Sequence, residues 1–178
     1  MKKIIAVLTA VFIAVGGFLI LNQNSKYDFK GKDLNGPVSL KTFDGKYKIV
    51  YFGYTSCPDV CPATLGILAG VLGEIKNDDI VVLFVSLDPD RDTPELTDEY
   101  VKYFYPNSHG LVVENLPRVA KNYGVKYQKV KLDKSAMEYS VAHSSSLYLL
   151  DKDGKFVSEI SNLTTSNVKN QIENLVNK

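Results

Sequence analysis

The chain lacks a clear excess of charge of either sign. Its 178 residues carry 21 lysines and arginines against 20 aspartates and glutamates, which leaves a formal net charge of +1. Phosphate binding needs a pronounced basic excess, so this balance argues against nucleic acid as the main partner. Internal repeats and low-complexity tracts are also absent. With 45% hydrophobic and 23% charged residues, the composition is that of an ordinary globular protein, and the length suits one domain plus an appendage.

Residues with soft-metal or redox chemistry are scarce. The chain contains two cysteines and two histidines, and tryptophan is absent. No cysteine lies near the N-terminus, which excludes a lipoprotein anchored through a lipidated cysteine. Both cysteines fall within one short segment, Ser56–Pro62, so any thiol chemistry is concentrated there.

The N-terminal segment has the composition of a membrane anchor. An uncharged run of eighteen residues, Ile4–Leu21, follows Lys2 and Lys3. A transmembrane helix needs roughly 20 apolar residues, so this run predicts a single membrane-spanning helix. No basic residue follows the run before Lys26. Because basic residues stay on the cytoplasmic side, we expect the rest of the chain on the outer side of the membrane.

The predicted organisation is an anchor (residues 1–21), a polar tether (22–27) and one domain (28–178). A cleaved signal peptide is the main alternative, but its apolar core would normally span about 7–15 residues and end at a small-residue site. Here Gly16 and Gly17 are followed by further apolar residues, Phe18–Leu21, which favours an uncleaved anchor. The N-terminus is short and has no long transit peptide, so a bacterial plasma membrane is the expected location.

The rest of the sequence alternates between two hydrophobic patterns. Runs of β-branched and aromatic residues predict strands, and apolar residues with helical spacing predict helices. Strands are predicted at Lys48–Tyr54, Ile80–Leu87, Leu111–Glu114 and Val125–Leu132, a hairpin at Ser145–Leu150 with Lys155–Ile160, and helices at Pro62–Ile75, from Thr93 and Pro94, at Leu116–Tyr123 and from a cap at Ser166. An N-terminal hairpin is expected to pair Val38–Leu40 with the strand from Tyr47. This order predicts a thioredoxin-like α/β fold.

Cys57 and Cys61 are the candidate working groups. They lie where a buried strand is predicted to end and a helix to begin, near helix N-terminal amides that favour a thiolate. Outside the cytoplasm, the pair can form a redox-active disulfide. A purely structural disulfide is the alternative, but a bridge that closes so small a loop contributes little through chain entropy.

The CxxxC spacing also suits a shared metal ion. Two thiolates are soft ligands for Cu(I) and for zinc, but two cysteines alone leave a tetrahedral zinc site incomplete. A third ligand is therefore expected. His143 is predicted to stand at the entry of the strand Ser145–Leu150, beside the cysteine loop, whereas His109 is predicted to be a surface histidine in a loop.

Three segments carry a family resemblance. They are Val50–Pro62 (VYFGYTSCPDVCP), Ser86–Pro94 (SLDPDRDTP), and Val141–Ser144 (VAHS) followed by Tyr148–Asp151 (YLLD). In this order they resemble the signature motifs of the Sco (SenC) copper proteins, and the similarity runs from about residue 28 to the end. Three motifs in register make the resemblance highly specific.

The resemblance implies that Cys57, Cys61 and His143 bind one copper ion, as Cu(I) or Cu(II). It implies a copper chaperone rather than an enzyme, whose partner is the copper-centre subunit of cytochrome c oxidase. The role would be to supply copper to the dinuclear copper centre or to prepare its thiols. The upstream copper donor stays open. Ala142 stands where the family often has an acidic residue, which puts a contact from that position in doubt.

Two alternatives also stay open. Asp88 is either a carboxylate beside the metal or a turn residue at the entry of the second helix. The chain as a whole could instead be a thioredoxin-type thiol–disulfide oxidoreductase that acts on partner cysteines. Such reductases carry a tryptophan before the first cysteine and a cis-proline facing the pair. Here Ser56 precedes Cys57 and no proline follows Pro117, so metal delivery is favoured.

Overall fold

The computed structural model describes residues 26–133 and 137–177. Nine strands, four α-helices and one 3-10 helix lie in this part of the chain. The strands are β1 (Lys30–Asp33), β2 (Gly36–Ser39), β3 (Tyr47–Gly53), β4 (Ile80–Ser86), β5 (Ser108–Val113), β6 (Tyr127–Lys131), β7 (Tyr139–His143), β8 (Leu147–Leu150) and β9 (Phe156–Ile160). The α-helices are α1 (Val60–Ile75), α2 (Pro94–Phe104), α3 (Leu116–Tyr123) and α4 (Thr165–Val176), and the 3-10 helix spans Leu40–Phe43.

Seven strands form one mixed sheet in the order β2-β1-β5-β4-β3-β8-β9. The central strands β5, β4 and β3 are parallel, and the outer pairs are antiparallel. Every residue of β4 is buried, and so are all residues of β3 except the first, which explains their nearly continuous apolar sequences. The cysteine loop therefore leaves the centre of the sheet at its carboxyl end, which is where open α/β sheets usually bind ligands.

Helix α2 lies close against β5 because residue 110 is glycine. A Cβ atom there would lie 2.1 Å from the carbonyl carbon of Thr97. The helix begins as predicted: the hydroxyl of Thr93 accepts the N–H of Leu96 at 3.3 Å, and Pro94 occupies the first helical position.

Strands β6 and β7 form a separate two-stranded antiparallel ribbon. At one end Tyr127 pairs with His143, and at the other the hydroxyl of Tyr139 donates to the carboxylate of Asp88 at 2.7 Å. The sequence pattern predicts the extended segment of β6 but not its partner β7. The ribbon also corrects the position of His143, which ends β7 instead of entering the strand that is now β8.

The N-terminal hairpin differs from the prediction. Strand β1 pairs with β2, and Tyr47 begins the central strand β3. The expected pairing of Val38–Leu40 with the strand from Tyr47 is therefore wrong. Between them the 3-10 helix buries Leu40 and Phe43 in the core, so the chain does not turn straight back.

Two helix starts also differ slightly from the predictions. The final helix begins at Thr165 after Thr164, instead of after a cap at Ser166. Helix α1 begins at Val60 rather than at Pro62, which places the second cysteine inside the first helical turn.

In the part of the chain described, no helix is both long enough and apolar enough to cross a bilayer. The predicted anchor and most of the predicted tether lie outside the described residues.

Candidate metal centre

The two cysteines lie in the turn after β3 and in the first turn of α1. Cys57 is half-buried, Cys61 is fully buried, and neither is in a disulfide. The N–H of Cys57 donates to the carbonyl of Tyr54 at 3.2 Å, and the N–H of Cys61 points at the Sγ of Cys57 at 3.4 Å. Amides at the start of α1 therefore favour negative charge on Cys57.

Gly53, the last residue of β3, leaves room for the Sγ of Cys61. A Cβ atom at this position would lie 3.0 Å from the Sγ of Cys61 and 2.9 Å from the Cε2 of Phe84. The sulfur is thus held between the end of the central strand and the core. Any larger residue at this position would have to displace one of these groups.

His143 supplies a ring nitrogen to the same place. Its Nε2 lies 3.6 Å from the Sγ of Cys61, and its Nδ1 lies 3.0 Å from the carbonyl oxygen of Ser144. A carbonyl only accepts, so Nδ1 carries a proton and donates it to this carbonyl, which leaves Nε2 as the ring nitrogen that faces the sulfurs. The ring also packs edge-on against Tyr54, with centroids 6.1 Å apart. The carbonyl of Ser144 and the ring of Tyr54 therefore hold the imidazole in an orientation that suits a metal ligand.

The donor atoms of Cys57, Cys61 and His143 lie within 4.8 Å of one another. A hydrogen bond from the side chain of Cys61, supported by His143 and by backbone amides, lowers the pKa of Cys57 well below the ordinary value. The same bond, together with burial, raises the pKa of Cys61. Both shifts favour negative charge on Cys57 and a proton on Cys61. Two sulfurs and one imidazole fit a soft ion such as Cu(I), and they leave a zinc site one ligand short.

His109 takes no part in this cluster. The prediction that it lies in a surface loop is wrong, because it belongs to β5. Its Nδ1 lies 3.2 Å from the Oδ2 of Asp33, and its ring packs edge-on against Phe43. The preceding Pro106 and Asn107 have turn-forming character, so the pattern placed the start of the strand too late, at Leu111.

Asp88 follows β4, and its side chain is fully buried. Its carboxylate accepts the hydroxyl of Tyr139 at 2.7 Å, pairs with the Nε of Arg91, and lies 3.7 Å from the Nζ of Lys129. Its carbonyl accepts the N–H groups of Arg91 and Asp92, as expected of a turn residue. None of these partners is a cluster ligand, so a place for Asp88 beside the metal stays a prediction.

Four supporting residues were missed at the sequence level. The ring of Tyr54 faces His143, and the guanidinium of Arg91 lies 5.9 Å from the centroid of the Tyr54 ring. The buried carboxylate of Asp92 accepts hydrogen bonds from Thr55. All four residues lie inside the first two motifs, so the signal was present. Which of these side chains meet depends on how the two loops pack, and local patterns do not carry that information.

The fold and the cluster together define a thioredoxin-like α/β domain in which an imidazole joins a pair of cysteines. Comparison with known proteins gives the family. The family model described as SCO1/SenC matches residues 20–177, and the chain belongs to the SCO1/SenC family. The predicted family is therefore confirmed.

Two relatives and one solved structure illustrate the similarity. An SCO2-like protein of Rickettsia prowazekii is 35% identical over 150 residues, which cover 82% of this chain and 68% of that protein. The mitochondrial SCO1 homolog 1 of Arabidopsis thaliana is 42% identical over 125 residues, which cover 67% of this chain and 37% of that protein. The chain thus spans about two thirds of the bacterial relative and little more than a third of the plant one.

The crystal structure of Arabidopsis thaliana ScoI with copper bound matches with a TM-score of 0.77 at 34% identity. The match covers 84% of this chain and 96% of that chain. The match confirms the predicted thioredoxin-like fold.

Proposed function

We propose that this protein is a membrane-anchored copper chaperone that binds one copper ion through Cys57, Cys61 and His143. The observation that carries the proposal is the convergence of these three donor atoms within 4.8 Å. A copper-bound relative of the same fold supports it. The anchor is proposed from the apolar run Ile4–Leu21, and the domain would then face the outer side of a bacterial plasma membrane.

The donor set suits both oxidation states of copper in different ways. Two thiolates and one imidazole complete a three-coordinate environment that Cu(I) accepts. Cu(II) prefers additional oxygen or nitrogen donors, so it depends more strongly on the imidazole. The half-buried position of Cys57 leaves one side of the cluster accessible, as a site that must release its ion requires.

The proposed partner is the copper-centre subunit of cytochrome c oxidase, and the proposed role is maturation of its dinuclear copper centre. Family membership and the three motifs support this assignment. In this role copper is cargo: it enters from an upstream donor and leaves to the partner's ligands. Catalytic turnover is not required of the chain, so we propose a carrier rather than an enzyme.

A second function is favoured by one observation, the lowered pKa of Cys57. A thiolate at physiological pH can attack a partner disulfide, and Cys61 is placed to resolve the mixed disulfide. Cys57 and Cys61 would then be oxidised to a disulfide, and the partner disulfide would take up the two electrons and two protons to become two thiols. This oxidoreductase activity would prepare partner cysteines for copper.

Copper titration of the reduced full-length protein in detergent tests the main proposal. We expect one copper per chain and, for Cu(II), an intense thiolate charge-transfer absorption. Cys57→Ala and Cys61→Ala should each abolish that absorption. Equal binding by the double variant would contradict the proposal. To separate the two functions, copper-free reduced protein is mixed with an oxidised copper-centre domain: loss of the partner disulfide without copper supports the second function.

A further inference from the structure

Asp92 is a buried carboxylate that the proposed function does not yet use. It is 3% exposed, and it lies in the loop between β4 and α2. Its oxygens accept the N–H of Thr55 at 3.2 Å, the hydroxyl of Thr55 at 2.5 Å and the hydroxyl of Ser86 at 2.6 Å. Burying a carboxylate is unfavourable unless it is fully hydrogen-bonded, and here three donors satisfy it. The side chain therefore ties the end of β4 to the cysteine loop.

Helix capping does not account for Asp92. The N-cap of α2 is Thr93, whose hydroxyl accepts the N–H of Leu96, and Pro94 follows at the first helical position. The carboxylate of Asp92 is directed away from the helix, toward Thr55. Its hydrogen bonds thus serve the cysteine loop and not the helix that it precedes.

Asp92 binds Thr55, which is next in sequence to a residue that supports two of the proposed ligands, Cys57 and His143. The residue before Thr55 is Tyr54, whose carbonyl accepts the N–H of Cys57 and whose ring packs edge-on against the ring of His143. Movement of Thr55 would therefore move both a cysteine and the histidine. The third ligand, Cys61, is positioned separately, by its place in the first turn of α1 and by the packing of its sulfur against Gly53.

We propose that Asp92 is a positioning residue: by binding Thr55 it holds Cys57 and His143 in the arrangement that receives copper. This inference rests on the proposed copper function where copper dissociation and spectra are measured. The dithiol–disulfide equilibrium of the metal-free protein tests it independently of copper. The side chain of Asp92 accepts its hydrogen bonds from Thr55 and Ser86, and not from the three donor residues. Outer hydrogen bonds of this kind commonly change metal affinity by about 10–100-fold when they are removed.

The test compares three variants in the full-length protein. Asp92→Ala removes all three acceptor contacts, Asp92→Asn replaces one acceptor oxygen by a donor, and Thr55→Val removes only the hydroxyl bond. We expect Cu(II) to dissociate about tenfold faster or more from the Asp92 variants, with a changed charge-transfer spectrum. Thr55→Val should give a smaller change, about fivefold, as the loss of one hydrogen bond implies.

The matched control is Asp98→Asn. Asp98 is also 3% exposed and belongs to the neighbouring helix α2, but its carboxylate pairs with Lys102 at 2.8 Å. We expect a loss of thermal stability from this variant with an unchanged Cu(II) spectrum and dissociation rate. If Asp98→Asn changes the copper readouts as much as Asp92→Asn does, then general destabilisation explains both, and the proposal is overturned.

A readout without metal keeps this inference separate from the proposed function. The hydrogen bonds of Asp92 are present in the described structure, in which neither cysteine is in a disulfide. Because the proposal is that they hold the cysteine loop in this arrangement, losing them should shift the dithiol–disulfide equilibrium toward the disulfide, which glutathione redox titration measures. If the wild type does not bind copper, this titration still tests Asp92. Should Asp92→Ala fail to fold, Thr55→Val decides: wild-type dissociation rate, spectrum and redox equilibrium in that variant would overturn the proposal.

Discussion

The Nε2 of His143 lies 3.6 Å from the Sγ of Cys61, although 82 positions of sequence separate the two residues. The cysteines are local to one turn, but the imidazole arrives only when the ribbon of β6 and β7 docks beside the end of β3. The three-donor cluster is thus a product of tertiary structure. Its two thiols could bind a soft ion alone, and the histidine adds the donor that distinguishes the complete site.

The first prediction concerns the identity of the imidazole ligand. His143→Ala leaves the two sulfurs, and Cu(I) tolerates two-coordination, so Cu(I) should be retained with reduced affinity. The Cu(II) complex should be lost or become short-lived, because Cu(II) prefers nitrogen and oxygen donors. Absorption spectra and competition titrations with a Cu(I) chelator measure both effects.

His109→Ala is the matched control for this ligand. It removes the contact between His109, in β5, and Asp33, in β1, and it should leave both copper complexes unchanged. An unchanged Cu(II) spectrum in His143→Ala, or a collapsed one in His109→Ala, would show that the ligand is assigned wrongly.

The second prediction concerns the pH dependence of thiol reactivity. The pKa of Cys57 is lowered, so this group is ionised above that pKa, including at pH 6, where a free thiol with a pKa of about 8.5 is almost fully protonated. The pKa of Cys61 is raised and its side chain is buried, so it stays protonated. Iodoacetamide should label one thiol per metal-free chain at pH 6, at nearly the same rate as at pH 8.

Mass spectrometry of the labelled peptides identifies the reactive cysteine. Cys61→Ala is an informative variant, because it removes the hydrogen-bond donor to Cys57, and the rate at pH 6 should fall if the Cys61 hydrogen bond is the largest cause of the lowered pKa. Labelling mainly at Cys61, or a rate that drops in proportion to the thiolate content of an ordinary cysteine, would contradict the assignment.

The cysteine motif and the hydrophobic patterns were enough to predict the central strands and the order of most elements. Buried parallel strands such as β4 have an unambiguous apolar pattern. The ribbon of β6 and β7 was harder to predict, because four of the five residues of β6 are exposed and its sequence lacks a buried face. His109 was misplaced for a local reason, since turn-forming residues precede it. Asp92 was not assigned a role because its partners, Thr55 and Ser86, depend on how two loops meet.

The third prediction separates the two interpretations of Asp88. Tyr139→Phe removes the hydrogen bond from the hydroxyl to the carboxylate of Asp88 and should reduce the free energy of unfolding by about 1 kcal/mol. Asp88→Asn also leaves the guanidinium of Arg91 without its charged partner and should be more destabilising, by about 1.5–3 kcal/mol. Chemical denaturation of the metal-free protein measures both.

Copper binding then decides the role of Asp88. If it is only a turn residue, the Cu(II) spectrum of folded Asp88→Asn should match that of the wild type. If its carboxylate acts at the metal, the spectrum should change while that of Tyr139→Phe does not. A change in both variants would point to the attachment of the ribbon rather than to the carboxylate.

The last prediction concerns the space at the end of β3. In Gly53→Ala the added Cβ would lie 3.0 Å from the Sγ of Cys61 and 2.9 Å from the Cε2 of Phe84, and both groups are fully buried. Overpacking of this kind commonly costs about 1–3 kcal/mol, so we expect that loss in the free energy of unfolding. The sulfur must also shift, so the Cu(II) charge-transfer spectrum should change.

Gly70→Ala is the matched control, because no heavy atom lies within 4 Å of its added Cβ on α1. It should stabilise the helix by about 0.5–1 kcal/mol and leave the spectrum unchanged. A Gly53→Ala protein with wild-type stability and spectrum would show that the sulfur is not confined by this strand.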